Sequence, residues 1–231
     1  MAQTVENWCA VIPLRAGSKG LPNKNTRLLA GKPLYRHSVD MALSCGASQV
    51  IITTDIEEIL NQSFPYNVMV IQRPSHLCTD DVAMAPVLLH AIETSGYTGT
   101  LILMQATSPL RQAQDIQNAL NVYSNQDFDL VMSVTSADNG VLKWGTVQGQ
   151  QFIPMADPSF CFSNRQSLPP VFKPNGAIYL MNAQWFVKNK SFVTPRIGTI
   201  EIPIDRSFDI DTAQDLEHCE ALLLSSSKAN P

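Results

Sequence analysis

Short apolar runs alternate with stretches of helical period along most of the chain. Residues 9–14, 49–54, 67–71, 100–104 and 129–134 are dominated by Val, Ile, Leu and Met, have the length of buried strands, and end in polar turns. Between them, residues 33–45, 56–62, 85–94 and 113–123 carry apolar positions at helical spacing. Pro33 and Pro86 fall in first turns, where a missing N–H costs nothing. Strand and helix in alternation predict an α/β fold with a mainly parallel sheet covered by helices, its first five strands forming a Rossmann-like half. The pattern breaks over residues 138–172 into Gly, Pro, Gln and isolated aromatics, which predicts an inserted hairpin or arm. Strand character returns at 177–181 and 199–204. Residues 212–224 read as a final helix capped by Asp211 or Thr212, and 225–231 as a frayed tail. The expectation is one domain over residues 1–231 with the arm inside it.

Composition narrows the class. With 231 residues and 45% hydrophobic content the chain can bury a full core. Five cysteines, Cys9, Cys45, Cys78, Cys161 and Cys219, lie too far apart for a Cys-x-x-Cys metal or redox site and read as reduced, mostly buried thiols. The N-terminus has no leader pattern and no apolar run approaches a membrane span, so a soluble, cytoplasmic protein without a membrane partner is expected. A net charge of −4 argues against nucleic-acid binding, which needs many phosphate contacts.

Against that acidic background the charge is uneven. Six of the sixteen basic residues lie between Arg15 and Arg36 with no acidic residue among them. The loop Arg15-Ala16-Gly17-Ser18-Lys19-Gly20-Leu21-Pro22-Asn23-Lys24-Asn25 follows the first strand, where backbone N–H groups and cations together would hold a polyanion. Its spacing is neither that of a P-loop nor of a Gly-x-Gly-x-x-Gly dinucleotide loop. Three further motifs sit beside strand ends, where ligands of open α/β sheets bind. Gln105, Thr107 and Ser108 offer neutral hydrogen-bonding groups, with Arg111 suited to a carboxylate or to local structure. Asp209 and Asp211 flank Ile210 in an extended segment, so both carboxylates can face one magnesium ion, although an acidic pair ahead of a helix also serves as an N-cap. Asn175-Gly176 is either a tight turn or a substrate contact at the edge of the sheet.

In order and spacing these motifs resemble the CMP-sialic acid synthetase family, the cytidylyltransferases that activate nine-carbon acidic sugars. The resemblance runs from the opening loop through Thr53-Thr54-Asp55, Gln72-Arg73-Pro74, Asp80, Gln105 to Arg111 and Asn175 to Tyr179, to Asp209-Ile210-Asp211. It implies a Rossmann-like nucleotidyltransferase fold and attack by a sugar's anomeric hydroxyl on the α-phosphorus of CTP, with Mg2+ assistance and release of pyrophosphate. On the same basis Arg15, Lys19 and Lys24 would hold phosphates, Ser18 would lie with them, and Asn25 would meet the ribose or phosphate end. Arg73 would lie near the cytosine, and Arg15, Lys24 and Asp211 would be catalytic. Gln105, Thr107, Ser108 and Asn175 would contact the sugar, Tyr179 and Phe192 would wall its acyl group, and Asp209 and Asp211 would carry the metal. The inserted segment would be a dimerisation arm, with Lys143 and Arg165 reaching the sugar carboxylate in a neighbour's site, so that a homodimer has a composite site.

Some positions depart from the family pattern. Met84 stands where a hydroxyl often helps to recognise cytosine, Leu14 replaces a small residue, and Val193 replaces an aromatic. The expected sugar is N-acetylneuraminate or N,N'-diacetyllegionaminate. The rival readings are a cytidylyltransferase for the eight-carbon 3-deoxy-manno-octulosonate, a hexose-1-phosphate nucleotidylyltransferase and a catalytically silent nucleotide-binding protein. The loop sequence favours the nine-carbon branch.

Overall fold

In chain order the elements are β1 (Trp8–Pro13), β2 (Leu28–Leu29), β3 (Lys32–Pro33), α1 (Leu34–Ser44), β4 (Gln49–Thr54), α2 (Glu57–Leu60), β5 (Val68–Gln72), α3 (Met84–Ser95), β6 (Thr100–Leu103), α4 (Ala113–Asn125), β7 (Leu130–Ala137), β8 (Gly145–Gln148), β9 (Gln151–Pro154), β10 (Val171–Asn182), α5 (Ala183–Asn189), β11 (Ile197–Glu201) and α6 (Ala213–Ala229). They come from a computed structural model that describes residues 7–229. Residues 1–6, where the N-terminus was read for a leader, and 230–231 of the expected tail lie outside the described residues.

Seven strands form the main sheet in the order β11-β7-β10-β6-β1-β4-β5. β1 pairs in parallel with β4 and β6, β4 with β5, and β7 with β11, as the buried apolar runs predict. β10 is antiparallel to both its neighbours, β6 and β7. The five strands read as one half are therefore split, because β10 lies between β6 and β7. Parallel and antiparallel partners leave the same apolar signature on a strand buried on both faces, and only long-range pairing tells them apart.

Side chains of the central strands alternate between two cores. Ala10, Ile12, Val50, Ile52, Ile102 and Met104 pack with Val39 and Ala42 of α1 and Ile116 and Ala119 of α4 on one face. On the other, Cys9, Val11, Ile51, Leu101 and Leu103 meet Leu88 and Ala91 of α3 and Phe186 of α5. Complete burial of the Val, Ile, Leu, Met and Phe side chains among these contributes about 1.5–3 kcal/mol each. A third cluster, Leu21, Leu29, Leu34, Leu110, Ile210 and Cys219, fastens the basic loop and the Asp209/Asp211 segment to α1 and α6.

Other boundaries differ from expectation. β10 begins at Val171, inside the stretch read as arm, and pairs with β7 from Val171↔Ala137. Its register shifts between Pro174, which has no N–H to donate, and Tyr179, with Gly176 at φ 77° in the bulge. The last sheet strand is β11, two residues earlier than read at its start and ending at Glu201. α5 escaped the sequence reading; the Asn182 side chain caps it by accepting from Trp185 N. α6 continues through Ala229, past the expected fraying point, and the Thr212 hydroxyl and Asp215 carboxylate cap it reciprocally; the Asp211 backbone N donates to Asp215 as well, while the Asp211 carboxylate takes no part in the cap. All five cysteines are free, but only Cys9 and Cys219 are buried, fewer than expected. Burial pushes the Cys9 thiol up to about 12, which makes it inert. No helix among the described residues is long and apolar enough to cross a membrane.

Between β7 and β10 the chain leaves the sheet and forms the β8–β9 hairpin with short 3-10 turns on either side. Trp144, Val147, Met155 and Phe162 of this excursion are exposed. Asn139 closes its base by donating to the carbonyls of Arg165 and Leu168.

Two buried arginine and aspartate contacts tie the layers together. The Arg111 guanidinium donates to the carbonyls of Ala177 and Gln105 and to the Ser38 hydroxyl, so it serves local structure, the second of its two sequence-based roles. Asp115 caps α4 by accepting from Gln112 N and receives both terminal nitrogens of Arg206 at 2.5 and 3.0 Å. Asp115→Ala removes a cap and leaves the Arg206 charge without its partner, so urea unfolding should show a loss of about 3 kcal/mol. A loss below about 0.5 kcal/mol would deny the pair its structural role.

Candidate functional site

Four parallel strands, β1, β4, β5 and β6, end on one side of the sheet, and the segments that leave them converge there. β1 ends at Pro13, and Leu14 N still donates to Thr53 O before the loop departs. The Leu14 side chain is wholly buried in the core, so its bulk is absorbed there. Ala16 N donates to the Asp55 carboxylate at 2.8 Å, which fixes the start of the loop to the end of β4. Asn25 is buried, and its Nδ2 donates to Arg15 O at 3.0 Å, folding the loop back on itself. At Gly20 a Cβ would stand 2.5 Å from the Asp211 carbonyl oxygen, so only glycine lets the loop reach the segment before α6. A Cβ at Gly17 would meet open space, so this glycine is not fixed by packing.

These segments enclose a cleft of about 210 Å3 lined by Arg15, Ser18, Lys24, Asn25, Arg73, Gln105, Thr107 and Asp209, all singled out from sequence, together with Pro13, Met84 and Ala106. Arg73 enters from the end of β5: its backbone N donates to Thr54 O and its guanidinium to Thr53 O, both at 2.7 Å. Burial pulls its pKa down, offset in part by nearby Cys78 and Asp55. Thr107 O accepts from Ile210 N at 2.9 Å, so the turn after β6 and the acidic segment share one backbone bond. Ile210 is fully buried, as expected of the residue between two outward carboxylates. Asp209 keeps a water-facing surface while protein crowds it from below. That desolvation, reinforced by Asp211, raises its carboxyl pKa, although the Thr107 side chain and Lys24 work the other way.

The ion pairs explain how so many cations coexist. Lys24 Nζ lies 2.9 Å from Asp211. Asp80 bridges Arg15 and Lys19, the latter at 2.7 Å, and these partners hold its carboxyl below the ordinary range. Lys32 and Arg36 both pair with Asp40, away from the cleft.

Other singled-out residues lie beside or away from the cleft. Asn175 is buried: its Oδ1 accepts from Ser133 and its Nδ2 donates to Ser207 at 2.9 Å. The adjoining Gly176 abuts Gln105, whose Oε1 would be 2.9 Å from a Cβ there. The Ser108 hydroxyl is buried without a hydrogen-bond partner. Tyr179 and Phe192 face each other with ring centroids 5.9 Å apart; burial and then Asp209 raise the Tyr179 phenol pKa, which sets this aromatic wall near the acidic segment. Lys143 donates to Ser163 O and Arg165 pairs with Asp138, both within the excursion after β7 and neither lining the cleft of their own chain. Sequence reasoning gave no role to Asp55 and Asp80, whose partners are 39 and 65 residues away. Asp55 directly follows β4, a position that could have signalled its role, whereas Asp80 lies in the longer turn between β5 and α3.

Comparison with known proteins identifies the family. A family model described as cytidylyltransferase matches residues 9–227. The chain is 33% identical over 214 residues to an N-acylneuraminate cytidylyltransferase of Streptococcus agalactiae serotype III, a match covering 90% of this chain and 51% of that protein. The chain thus spans about half the length of that relative. It is 34% identical over 226 residues to the CMP-N,N'-diacetyllegionaminic acid synthase of Legionella pneumophila, covering 93% of this chain and 95% of that protein. Among solved structures, a CMP:2-keto-3-deoxy-manno-octonic acid synthetase complexed with CTP superposes with a TM-score of 0.69 at 19% identity, over 95% of this chain and 99% of that one. At that identity the likeness concerns the fold.

The raised Asp209 pKa has a consequence for stability. An acid whose folded pKa exceeds its unfolded value destabilises the fold above the folded pKa, and the penalty vanishes as pH falls to the unfolded value. In metal-free protein, Asp209→Asn should raise the melting temperature slightly at pH 7, with the gain shrinking toward acid. A lower melting temperature at pH 7 would contradict the placement of this charge.

Proposed function

The chain belongs to the cytidylyltransferase family, and from that premise we propose that it transfers CMP from CTP to the anomeric hydroxyl of a nine-carbon acidic sugar and releases pyrophosphate. The observation that carries this reading is the gathering of Arg15, Lys24, Asn25, Arg73, Gln105, Thr107 and Asp209 in one cleft at the carboxyl ends of parallel strands.

Arg15, Lys19 and Lys24 supply the positive charge that a triphosphate requires on binding, and that its leaving pyrophosphate requires more strongly as the α–β bond breaks. Gly17 leaves room for phosphate oxygens against the loop backbone. Buried Arg73 faces the base, with Met84 as an apolar wall beside it. Gln105 and Thr107 present amide and hydroxyl groups to the sugar, and Tyr179 with Phe192 forms a face for an acyl group.

Asp209 and Asp211 fit a magnesium ion. They are hard oxygen donors on the side of the segment opposite buried Ile210; the Asp209 carboxyl pKa is raised chiefly by desolvation and further by Asp211, a charge penalty that a cation would relieve. Magnesium commonly uses one or two carboxylates and completes its shell with water and substrate phosphates, so the pair suffices. When bound, the ion would neutralise triphosphate charge; Lys24, now paired with Asp211, would then turn to the phosphates.

The excursion after β7 is proposed to act in a homodimer. Its exposed Trp144, Val147, Met155 and Phe162 favour covering by a second chain, and Lys143 and Arg165 would reach the sugar carboxylate of that chain's site. The five separated, free thiols support a cytoplasmic setting.

Pyrophosphate release from CTP with magnesium should be driven by N-acetylneuraminate or N,N'-diacetyllegionaminate. Turnover of 3-deoxy-manno-octulosonate alone would overturn the nine-carbon assignment, and absence of turnover with every acidic sugar would establish the silent-binder reading. Lys24→Ala should lower kcat by about 10²–10³-fold with an unchanged circular-dichroism spectrum, and normal kcat would remove Lys24 from the mechanism.

A further inference from the structure

The mouth of the basic loop is already filled by a carboxylate of the chain itself. One Asp80 oxygen accepts from Arg15 and the other lies 2.7 Å from Lys19 Nζ, so a single anion bridges two of the three loop cations. Asp80 stands in the turn between β5 and α3, outside both the loop and the cleft lining. Three aspartates engage the loop, each in a different way. Asp55 holds a backbone N–H, at Ala16, which a bound anion has no need to displace. Asp211 pairs with Lys24 and belongs to the pair proposed above to hold magnesium. Asp80 touches only the charged tips of Arg15 and Lys19, whose side chains are 35% and 87% exposed, so little packing depends on the bridge.

We infer that Asp80 is an internal counter-anion that competes with phosphate oxygens for Arg15 and Lys19, and thereby sets the affinity for triphosphate and pyrophosphate. The inference rests on the function proposed above. A carboxylate carries one charge and a phosphate chain several, and exposed ion pairs are weak, so the ligand can displace Asp80. Once displaced, the carboxylate remains a like charge beside the bound phosphates and lowers their affinity. As pyrophosphate leaves, the same carboxylate returns to the vacated cations, so two strong cations do not retain a multiply charged product. Asp80 thus trades affinity for release.

The test is calorimetric titration of wild type, Asp80→Asn and Asp81→Asn with pyrophosphate without magnesium, and with CTP. Asp81 is the control, since it loses the same charge one residue away while its own side-chain contact is with Thr79. Asp80→Asn should bind both ligands about tenfold more tightly, the size of two released ion pairs, and Asp80→Ser should match it. Asp81→Asn should differ from wild type by less than about twofold, because an unpaired exposed charge is screened. Unchanged or weaker binding by both Asp80 variants, or equal tightening by Asp81→Asn, would overturn the inference. Wild type that binds pyrophosphate but not CTP would overturn the proposed function instead, and the pyrophosphate ratio would still decide the part played by Asp80. Wild type that binds neither would overturn both.

Discussion

Concentrating Arg15, Lys19 and Lys24 in one loop sets like charges against one another, and that repulsion is the constraint around which this end of the molecule is built. The chain answers it with carboxylates delivered from three other places: Asp55 after β4, Asp80 after β5 and Asp211 before α6. A loop so neutralised can exist without ligand and still present its cations at the surface. The Asp80 pairs with Arg15 and Lys19 are exposed enough to be weak, which leaves them exchangeable.

Those carboxylates can meet the loop only because the strands that carry them run the same way. β4, β1 and β6 are adjacent and parallel, with β5 beyond β4, so their carboxyl ends form one rim. The Leu21, Leu110 and Ile210 cluster then anchors the loop, the turn after β6 and the acidic segment in one apolar patch. The polar groups that line the cleft therefore sit on short segments whose neighbours are buried, which limits the entropy a ligand would cost by ordering them. Cleft composition, family membership and loop chemistry all support the same reaction type.

Much of this was legible in the chain. The alternation of apolar runs with helical periods placed the strands that become β1, β4, β5, β6 and β7, because strands buried on both faces announce themselves locally. The loop, Gln105, Thr107 and Asp209 were legible because strand ends carry ligand sites in such sheets, and Arg73 through the family resemblance alone. What escaped depends on distance along the chain. The reversal of β10 and its insertion between β6 and β7 depend on pairings that no local pattern encodes. α5 is only seven residues long and rich in aromatics, too short for a helical period to assert itself. Asp80 stood among the residues that carry the family resemblance, but its pairing with Arg15, 65 positions earlier, is set only by folding. Asn175 shows the converse: its buried amide is held by Ser133 and Ser207, a structural commitment that composition does not reveal.

The central claim is that the loop after β1 and the segments facing it form the nucleotide site. Amide hydrogen exchange with and without CTP and magnesium tests it most directly. The account predicts slower exchange on binding across residues 16–24 and 105–108, with no change at the groove between α3 and α5 around Tyr97 and Gln184. Exchange that is unaltered in the loop, or slowed only at that distant groove, would contradict it.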